Sequence, residues 1–212
     1  MSQRMLKRFV ICDRLASITR YSRDFMVKRE SVLEHIGFAA LYSLILCREL
    51  QRDGVEIDIG KVLEKATIHD IDESVFGDVP RVTKYFSPEI SAAFKKVEAE
   101  GVQQLFHNLN LDEMAEDWEF AKGSSLEGQV VALVDLAAVV YKVWFEIALS
   151  GNLSFLRVYR ELQGFVAEKM TAMAAQKETN PLLPHMVDMN QLMQYMKKYD
   201  TLDKHVNPEG ML

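Results

Sequence analysis

Apolar residues recur every three or four positions along most of this chain, which is the spacing of helices that bury one face. Ser31 and Glu34 have the spacing of a capping box, in which each side chain accepts a hydrogen bond from a free backbone amide at the helix start. The helix that they open should run to about Arg52. Asp58 can cap a second helix, which should reach about Ser74.

Similar signals predict helices through the rest of the chain. Ser87 precedes Pro88, a residue that suits the first helical position, and Ser124 with Glu127 again has capping-box spacing. The predicted helices cover roughly residues 88–108, 124–150, 153–176 and 184–200. No stretch alternates apolar and polar residues between turn residues, so we predict few or no strands and an all-α fold.

The length and the loop signals indicate one domain. A chain of 212 residues can bury a single core, and no repeat, low-complexity tract or long linker divides it. The Pro and Gly clusters at residues 77–80 and 180–184 are typical of loops within a domain. We expect a single domain over residues 1–201 and a loose C-terminal tail over residues 202–212.

Composition and charge exclude several classes of protein. Apolar residues make up 49% of the chain and charged residues 26%, as in globular proteins rather than disordered ones. The net charge of −6 argues against binding to nucleic acid polymers, whose backbones attract clustered Lys and Arg. Cys12 and Cys47 have no framework spacing, so we expect reduced thiols and a cytoplasmic protein.

The most apolar segment, residues 130–149, is interrupted by charges. Asp135, Lys142 and Glu146 lie within it, whereas a membrane-spanning helix needs about 20 nearly uncharged residues. The N-terminal residues mix charges among their apolar positions and lack the pattern of a signal peptide. We therefore expect a buried helix and no membrane partner.

Asp135 lies in the segment "VVALVDLAAVV", where its neighbours on the helix surface are apolar. Burying an ionised carboxylate there costs several kcal/mol unless a cation or dense hydrogen bonding compensates for the lost hydration. A salt bridge to another helix would satisfy this need, and so would a metal ion.

Two histidines and a second aspartate complete a candidate metal site. His35 lies at the start of one predicted helix, and His69 and Asp70 are adjacent near the end of the next. Each has an ordinary structural explanation alone, but with Asp135 they form the pattern His, His-Asp, Asp. Two imidazoles and two carboxylates suit a divalent ion of Mn, Co, Fe, Zn or Ni, with positions left for water and a substrate oxygen.

Three parts of the chain carry a family resemblance. They are "TRYSRDF" with "VLEHIGFAA", then "IHDIDESVFGDVPRVTKYF", and then "VDLAAVVYKVWFEIALSGN". In order and spacing they resemble the HD-domain metal-dependent phosphohydrolases, and they are most similar to the YfbR-like bacterial 5'-deoxynucleotidases. The resemblance implies an HD-domain helical bundle in which His35, His69, Asp70 and Asp135 bind one divalent transition metal ion.

The same resemblance implies two catalytic residues. Glu73 lies one helical turn after His69 and Asp70, so it can face the attacking water without binding the ion, and its family counterpart handles that proton. The counterpart of Asp78 lies at the substrate, near the sugar and the attacking water. Asp72 has no assigned role, and we expect it to face solvent.

The residues expected to bind the substrate are Arg20, Tyr21, Asp78 and Lys84. The counterpart of Arg20 holds phosphate, which a guanidinium group can bind through two hydrogen bonds. Tyr21 stands where the nucleotidases have Trp, and Leu33 replaces a polar residue. Both departures border the substrate.

The predicted reaction is hydrolysis of a deoxynucleoside 5'-monophosphate to a deoxynucleoside and phosphate. A deoxynucleoside triphosphate triphosphohydrolase, acting for example on dATP, is the alternative. Hydrolysis of guanosine tetraphosphate expects an acid where Ser74 stands, and a di-iron oxygenase needs further His ligands, for which His107, His185 and His205 lack suitable spacing. A non-enzymatic HD-fold module is disfavoured because the ligand set is complete.

We also expect a homodimer. This expectation comes from the family, and from a long apolar helix and a Met-rich last third that exceed what one small core requires.

Overall fold

The computed structural model describes residues 3–176 and 180–206. The helices, in chain order, are α1 (Gln3–Ser17), α2 (Val32–Arg52), α3 (Ile59–Ile68), α4 (Glu73–Phe76), α5 (Arg81–Lys84), α6 (Pro88–His107), α7 (Met114–Glu119), α8 (Leu126–Trp144), α9 (Leu156–Ala174) and α10 (Leu183–Val206). A π-helical turn (Phe145–Leu149) and a 3-10 turn (Leu153–Phe155) lie between α8 and α9. No strand occurs in the described ranges, so the prediction of an all-α fold is confirmed.

The described residues divide into two compact units. One contains residues 3–22 and 29–132, and the other contains residues 23–28, 133–176 and 180–206. Helix α8 begins in the first unit and continues without a break into the second. The expectation of a single domain over residues 1–201 stays a prediction.

The start of α2 follows from local sequence alone. The side chain of Ser31 accepts a hydrogen bond from the backbone amide of Glu34 at 3.2 Å, and the Glu34 carboxylate accepts one from the Ser31 amide at 2.7 Å. This is the predicted capping box, and the predicted end at Arg52 is also confirmed. The buried face of α2, which includes Leu46 and Leu50, packs against α3 in the first unit.

Helix α3 is shorter than predicted. It ends at Ile68 rather than near Ser74. The next turns are tighter than an α-helix, since the amide of Ile71 donates to the carbonyl of Ile68 and that of Glu73 donates to that of Asp70. This change of path occurs at the candidate metal ligands, and no helix-stop residue marks it in the sequence.

A serine caps the start of both α6 and α8, and the sequence identified one of these two serines correctly. Ser87 accepts a hydrogen bond from the amide of Ile90 at 3.3 Å, as predicted. At α8 the cap is Ser125, which accepts from the amide of Gly128 at 3.2 Å, so the predicted cap at Ser124 was wrong by one residue.

The second unit is held by α9 and α10, which pack together. Four methionines of α10 recur at helical spacing and are buried: Met186, Met189, Met193 and Met196. The hydroxyl of Tyr159, on α9, donates to the carbonyl of Met193 at 3.1 Å. These methionines therefore fill the interior of the unit and do not supply a face for a second subunit.

Helix α10 extends to Val206, which is beyond the residue at which we expected a tail to begin. Residues 207–212 of that predicted tail lie outside the described residues. None of the described helices, including the apolar α8, is long and apolar enough to span a membrane.

Candidate active site

His35, His69 and Asp70 converge in the interior of the first unit. His35 lies in the first turn of α2, and the His-Asp pair follows the end of α3. The Nε2 atoms of the two histidines are 3.2 Å apart. Asp70 Oδ2 is 3.3 Å from His35 Nε2 and 3.1 Å from His69 Nε2. Three potential ligand atoms thus face one point.

The protonation of these groups suits a metal ion. His69 Nδ1 is 2.8 Å from the carbonyl oxygen of Ala66, which can only accept, so Nδ1 carries a hydrogen and Nε2 is the ring nitrogen directed at the cluster. Burial opposes ionisation of Asp70, but the nearby charges of His69 and Lys122 and hydrogen bonds from the histidines hold its pKa well below the usual range. A neutral imidazole and an ionised carboxylate are the forms that bind divalent metals.

Asp135, the fourth predicted ligand, belongs to the second unit and lies near the middle of α8. It is half-buried, and Val131 and Ala138 on the neighbouring turns are buried. The apolar setting predicted for this carboxylate is therefore observed.

Glu73 begins α4, directly after the turn that carries His69 and Asp70. Its side chain is buried, and its Oε2 atom has no hydrogen-bond partner among the described residues. Burial, followed by the charges of Asp70 and Asp78, raises the pKa of Glu73 to about 9, although Arg20 opposes this shift. A buried carboxyl group with an unused oxygen is suited to exchange protons with a substrate or a water molecule.

The predicted phosphate-binding segment is tied to Asp78. The amide of Tyr21 donates to Asp78 Oδ2 at 3.0 Å, and Tyr21 adopts a positive φ of 54°, which is uncommon for an aromatic residue. The Arg20 guanidinium lies 5.4 Å from the centre of the Tyr21 ring, and its Nη1 atom is 3.1 Å from Glu30. Asp78 thus fixes the backbone beside the arginine.

Lys84 and Asp72 belong to a cluster of charges that also contains Glu98 and that the sequence did not predict. Lys84 Nζ lies 2.8 Å from Glu98 and 3.9 Å from Asp72. Asp72 is only 7% exposed, so the expectation that it faces solvent was wrong. Burial and the charge of Asp70 raise the pKa of Asp72 to about 6.

Lys122 is a site residue that the sequence did not reveal. Its Nζ atom donates to Asp70 Oδ1 at 3.3 Å, opposite the oxygen that faces the histidines. The residue lies in the loop between α7 and α8, and nothing in the sequence "FAKGSS" marks it as functional.

The chain is similar to proteins with assigned activities. Residues 7–203 match the family described as 5'-deoxynucleotidase YfbR-like. A 5'-deoxynucleotidase of Vibrio vulnificus is 31% identical over 165 residues, which cover 74% of this chain and 83% of that protein. A 5'-deoxynucleotidase of Pasteurella multocida is 28% identical, with 69% of this chain and 77% of that protein covered.

A solved structure supports the fold. An HD-domain phosphohydrolase of Listeria innocua superposes with a TM-score of 0.63 at 21% identity, covering 92% of this chain and 98% of its own. This likeness shows the HD fold, and the family match adds the sequence pattern. The chain therefore belongs to the YfbR-like 5'-deoxynucleotidase family, and it has the HD fold.

Proposed function

We propose that this protein hydrolyses 2'-deoxynucleoside 5'-monophosphates to deoxynucleosides and phosphate with one divalent metal ion. The observation that carries the proposal is the convergence of His35, His69 and Asp70 next to the buried Glu73, in a member of a 5'-deoxynucleotidase family. The related proteins of Vibrio vulnificus and Pasteurella multocida are named as 5'-deoxynucleotidases.

The ion would be held by His35, His69 and Asp70, with Asp135 as the fourth ligand. The family pattern and the mixed nitrogen and oxygen donors of these side chains support this set. A divalent ion bound by these residues would supply Lewis-acid chemistry, polarising a phosphoryl oxygen and lowering the pKa of the attacking water. The metal could be Co, Mn, Zn, Fe or Ni, and elemental analysis of protein purified without chelator would identify it.

The other roles fall to side chains around the cluster. Glu73 would take the proton of the attacking water, and a buried carboxyl with one unused oxygen supports this role. Burial and the charge of Asp70 raise the pKa of Glu73, and a divalent ion bound at the cluster would offset that charge and thereby make the carboxylate form available. Arg20 holds the phosphate group, and Tyr21 provides a ring surface beside it. Asp78 fixes the Tyr21 backbone and lies at the sugar, where close packing would crowd a 2'-hydroxyl group. Lys84 would act more remotely, since carboxylates already hold its ammonium group.

The deciding experiment compares kcat/KM for dAMP, AMP and dATP with one metal and identifies the products by chromatography. We expect dAMP to be preferred over both other nucleotides. Preference for dATP with release of triphosphate would overturn the monophosphatase proposal in favour of a triphosphohydrolase. Equal rates for dAMP and AMP would refute discrimination at the sugar.

We further propose a cytoplasmic homodimer. An exposed apolar stripe on α2 supports a second subunit, with Phe38 38% exposed, Leu41 61% and Ile45 49%. Light scattering at micromolar concentration should give twice the mass of the chain, and a monomer mass would refute the proposal. Neither Cys12, which is exposed, nor Cys47, which is buried, forms a disulfide. Protein purified from cytoplasm and then unfolded should therefore show two free thiols in a thiol-counting assay.

A further inference from the structure

Glu30 lies between the predicted phosphate-binding arginine and the first candidate metal ligand. Its Oε1 atom is 3.1 Å from Arg20 Nη1 and 3.7 Å from His35 Nδ1. The side chain of Glu30 is 21% exposed, compared with 11% for Arg20 and 0% for His35. One carboxylate oxygen therefore contacts two residues of the candidate active site, and it approaches His35 at the ring nitrogen opposite the one that faces Asp70.

The backbone fixes Glu30 in this place. Thr19 and Ser31 pair as an isolated antiparallel bridge, and the amide of Arg20 donates to the carbonyl of Glu30 at 2.9 Å. Ser31 caps α2, so Glu30 directly precedes the cap and His35 is the fourth residue of the helix. Side chains at these two positions often pack together as an apolar pair. Here they are an acid and an imidazole, so the start of the helix directs a carboxylate at the candidate ligand.

Both candidate histidine ligands have an oxygen near the ring nitrogen that faces away from the cluster. For His69 it is the carbonyl oxygen of Ala66, and for His35 it is the carboxylate of Glu30. Metal-binding histidines usually donate their second ring hydrogen to such an oxygen, which fixes the ring orientation and makes the binding nitrogen more basic. A neutral histidine that binds a metal through Nε2 carries its hydrogen on Nδ1, which is the nitrogen that Glu30 approaches.

The separation between Glu30 and His35 is longer than a hydrogen bond. N–H···O hydrogen bonds span about 2.7–3.2 Å, so a distance of 3.7 Å is not yet one. A divalent cation at Nε2 attracts negative charge towards the ring, and it therefore favours a shorter contact between Nδ1 and the carboxylate. The contact with Arg20 does not prevent this change, because a carboxylate has two oxygens and about four lone-pair sites.

We propose that Glu30 is a positioning residue whose carboxylate accepts a hydrogen bond from Nδ1 of metal-bound His35 and so keeps Nε2 directed at the ion. This proposal rests on the metal site of the proposed function. Because the same carboxylate contacts Arg20, it also keeps the arginine that would hold the phosphate close to a metal ligand.

The test measures metal affinity, which needs no nucleotide, as the Kd of Co(II) in competition with a chelator. Glu30 is replaced by alanine, which removes the acceptor, and by glutamine, which keeps an amide oxygen in its place. The matched control is Asp24→Ala, because the Asp24 side chain is 14% exposed and accepts from Arg157 Nη2 at 2.7 Å, in a pair that contains no candidate metal ligand. Arg20→Met tests whether any effect passes through the arginine.

We expect the Kd of Co(II) to rise roughly 10- to 100-fold in Glu30→Ala, as for loss of other residues that orient metal ligands. Glu30→Gln should recover part of this loss, and Asp24→Ala and Arg20→Met should bind Co(II) as the wild type does. Wild-type affinity in Glu30→Ala would overturn the proposal, and so would an equal loss in Asp24→Ala or Arg20→Met. If Glu30→Ala does not fold, Glu30→Gln decides the question, because a neutral oxygen accepts a weaker hydrogen bond than a carboxylate and its Kd should still exceed that of the wild type.

Metal affinity separates this proposal from the proposed function. If the wild type hydrolyses no nucleotide but binds Co(II) in a manner that depends on Glu30, the contact is supported and the nucleotidase assignment fails. If the wild type hydrolyses dAMP and the folded Glu30 variants bind Co(II) with unchanged Kd, the assignment stands and the contact is refuted.

Discussion

Replacing Glu146 by glutamine should destabilise the second unit, because this buried carboxylate binds four donors. It accepts hydrogen bonds from the amides of Val27 and Lys28 at 2.9 and 3.1 Å. It also accepts from Lys142 Nζ at 2.8 Å and from Asn152 Nδ2 at 2.9 Å. Lys142 donates in addition to the carbonyl of Lys28. One carboxylate thus connects the π-helical turn after α8 to residues 23–28, which follow the predicted phosphate-binding segment.

Two considerations, which both include the contact with Lys142, give the size of the effect. Removing one partner of a buried ion pair costs about 3–5 kcal/mol, because the other charge stays buried, and the Lys142 side chain is only 4% exposed. Burial alone would raise the pKa of Glu146, but hydrogen bonds from Lys142, Asn152 and the two amides lower it to about 2 from an ordinary value of 4.5. That difference corresponds to about 3 kcal/mol at neutral pH.

Urea unfolding at pH 7 would measure the free energy lost in Glu146→Gln. Glu161→Gln is the control, because Glu161 forms an exposed ion pair with Arg157 at 2.6 Å and should contribute less than about 1 kcal/mol. The double variant Glu146→Gln with Lys142→Met should recover part of the loss, since no charge then remains buried. A loss of less than about 1 kcal/mol in Glu146→Gln would refute the reasoning.

The effect should also depend on pH. Because the folded-state pKa of Glu146 is lower than its ordinary value, its contribution is complete above pH 4.5 and decreases as the pH falls toward about 2. The stability difference between wild type and Glu146→Gln should therefore shrink between pH 6 and pH 3. A constant difference over that range would show that shape, rather than charge, determines the loss.

Three further predictions follow from the site and the packing. Asp135→Ala should lose the bound metal in elemental analysis, and full occupancy would remove Asp135 from the ligand set. Glu73→Gln should retain the metal while kcat falls about 10²- to 10⁴-fold, and unchanged turnover would exclude it as the proton acceptor. Gly101→Ala should lower the free energy of unfolding by about 1–3 kcal/mol in a denaturation assay, because the added Cβ would lie 2.4 Å from the Phe76 ring. Gly164→Ala should raise the free energy of unfolding by about 0.5–1 kcal/mol in the same assay, because a Cβ there would meet open space.

The sequence predicted best what depends on neighbouring residues in the chain. The capping box of Ser31 and Glu34 needs only the backbone between them, and its geometry is as predicted. The end of α3 depends instead on the packing around His69 and Asp70, so the local helical pattern placed it six residues too late, near Ser74 rather than Ile68. Helix ends that lead into a functional cluster are poorly predicted from local signals.

Contacts between residues far apart in the chain explain the other errors at the site. Asp72 looked like a solvent-facing acid because no nearby residue in the sequence suggests burial, yet Lys84 and Glu98 come close to it in the folded chain. Lys122 is separated from Asp70 by more than fifty residues, and its loop has no motif. The proposed metal ligands could be selected from the sequence because their types and order form a family pattern, whereas these neighbours belong to no such pattern.

The three charges within the apolar segment over residues 130–149 have different explanations. Lys142 and Glu146 are four residues apart, so one turn of the helix brings them together as a buried pair. Asp135 has Val131 and Val139 at that spacing, and its own helix therefore offers no cation to it. Whatever balances its charge must come from outside α8, and the divalent ion that we propose meets this requirement. Within this apolar segment, Glu146 therefore has a structural role, whereas Asp135 is the carboxylate that we propose as a metal ligand.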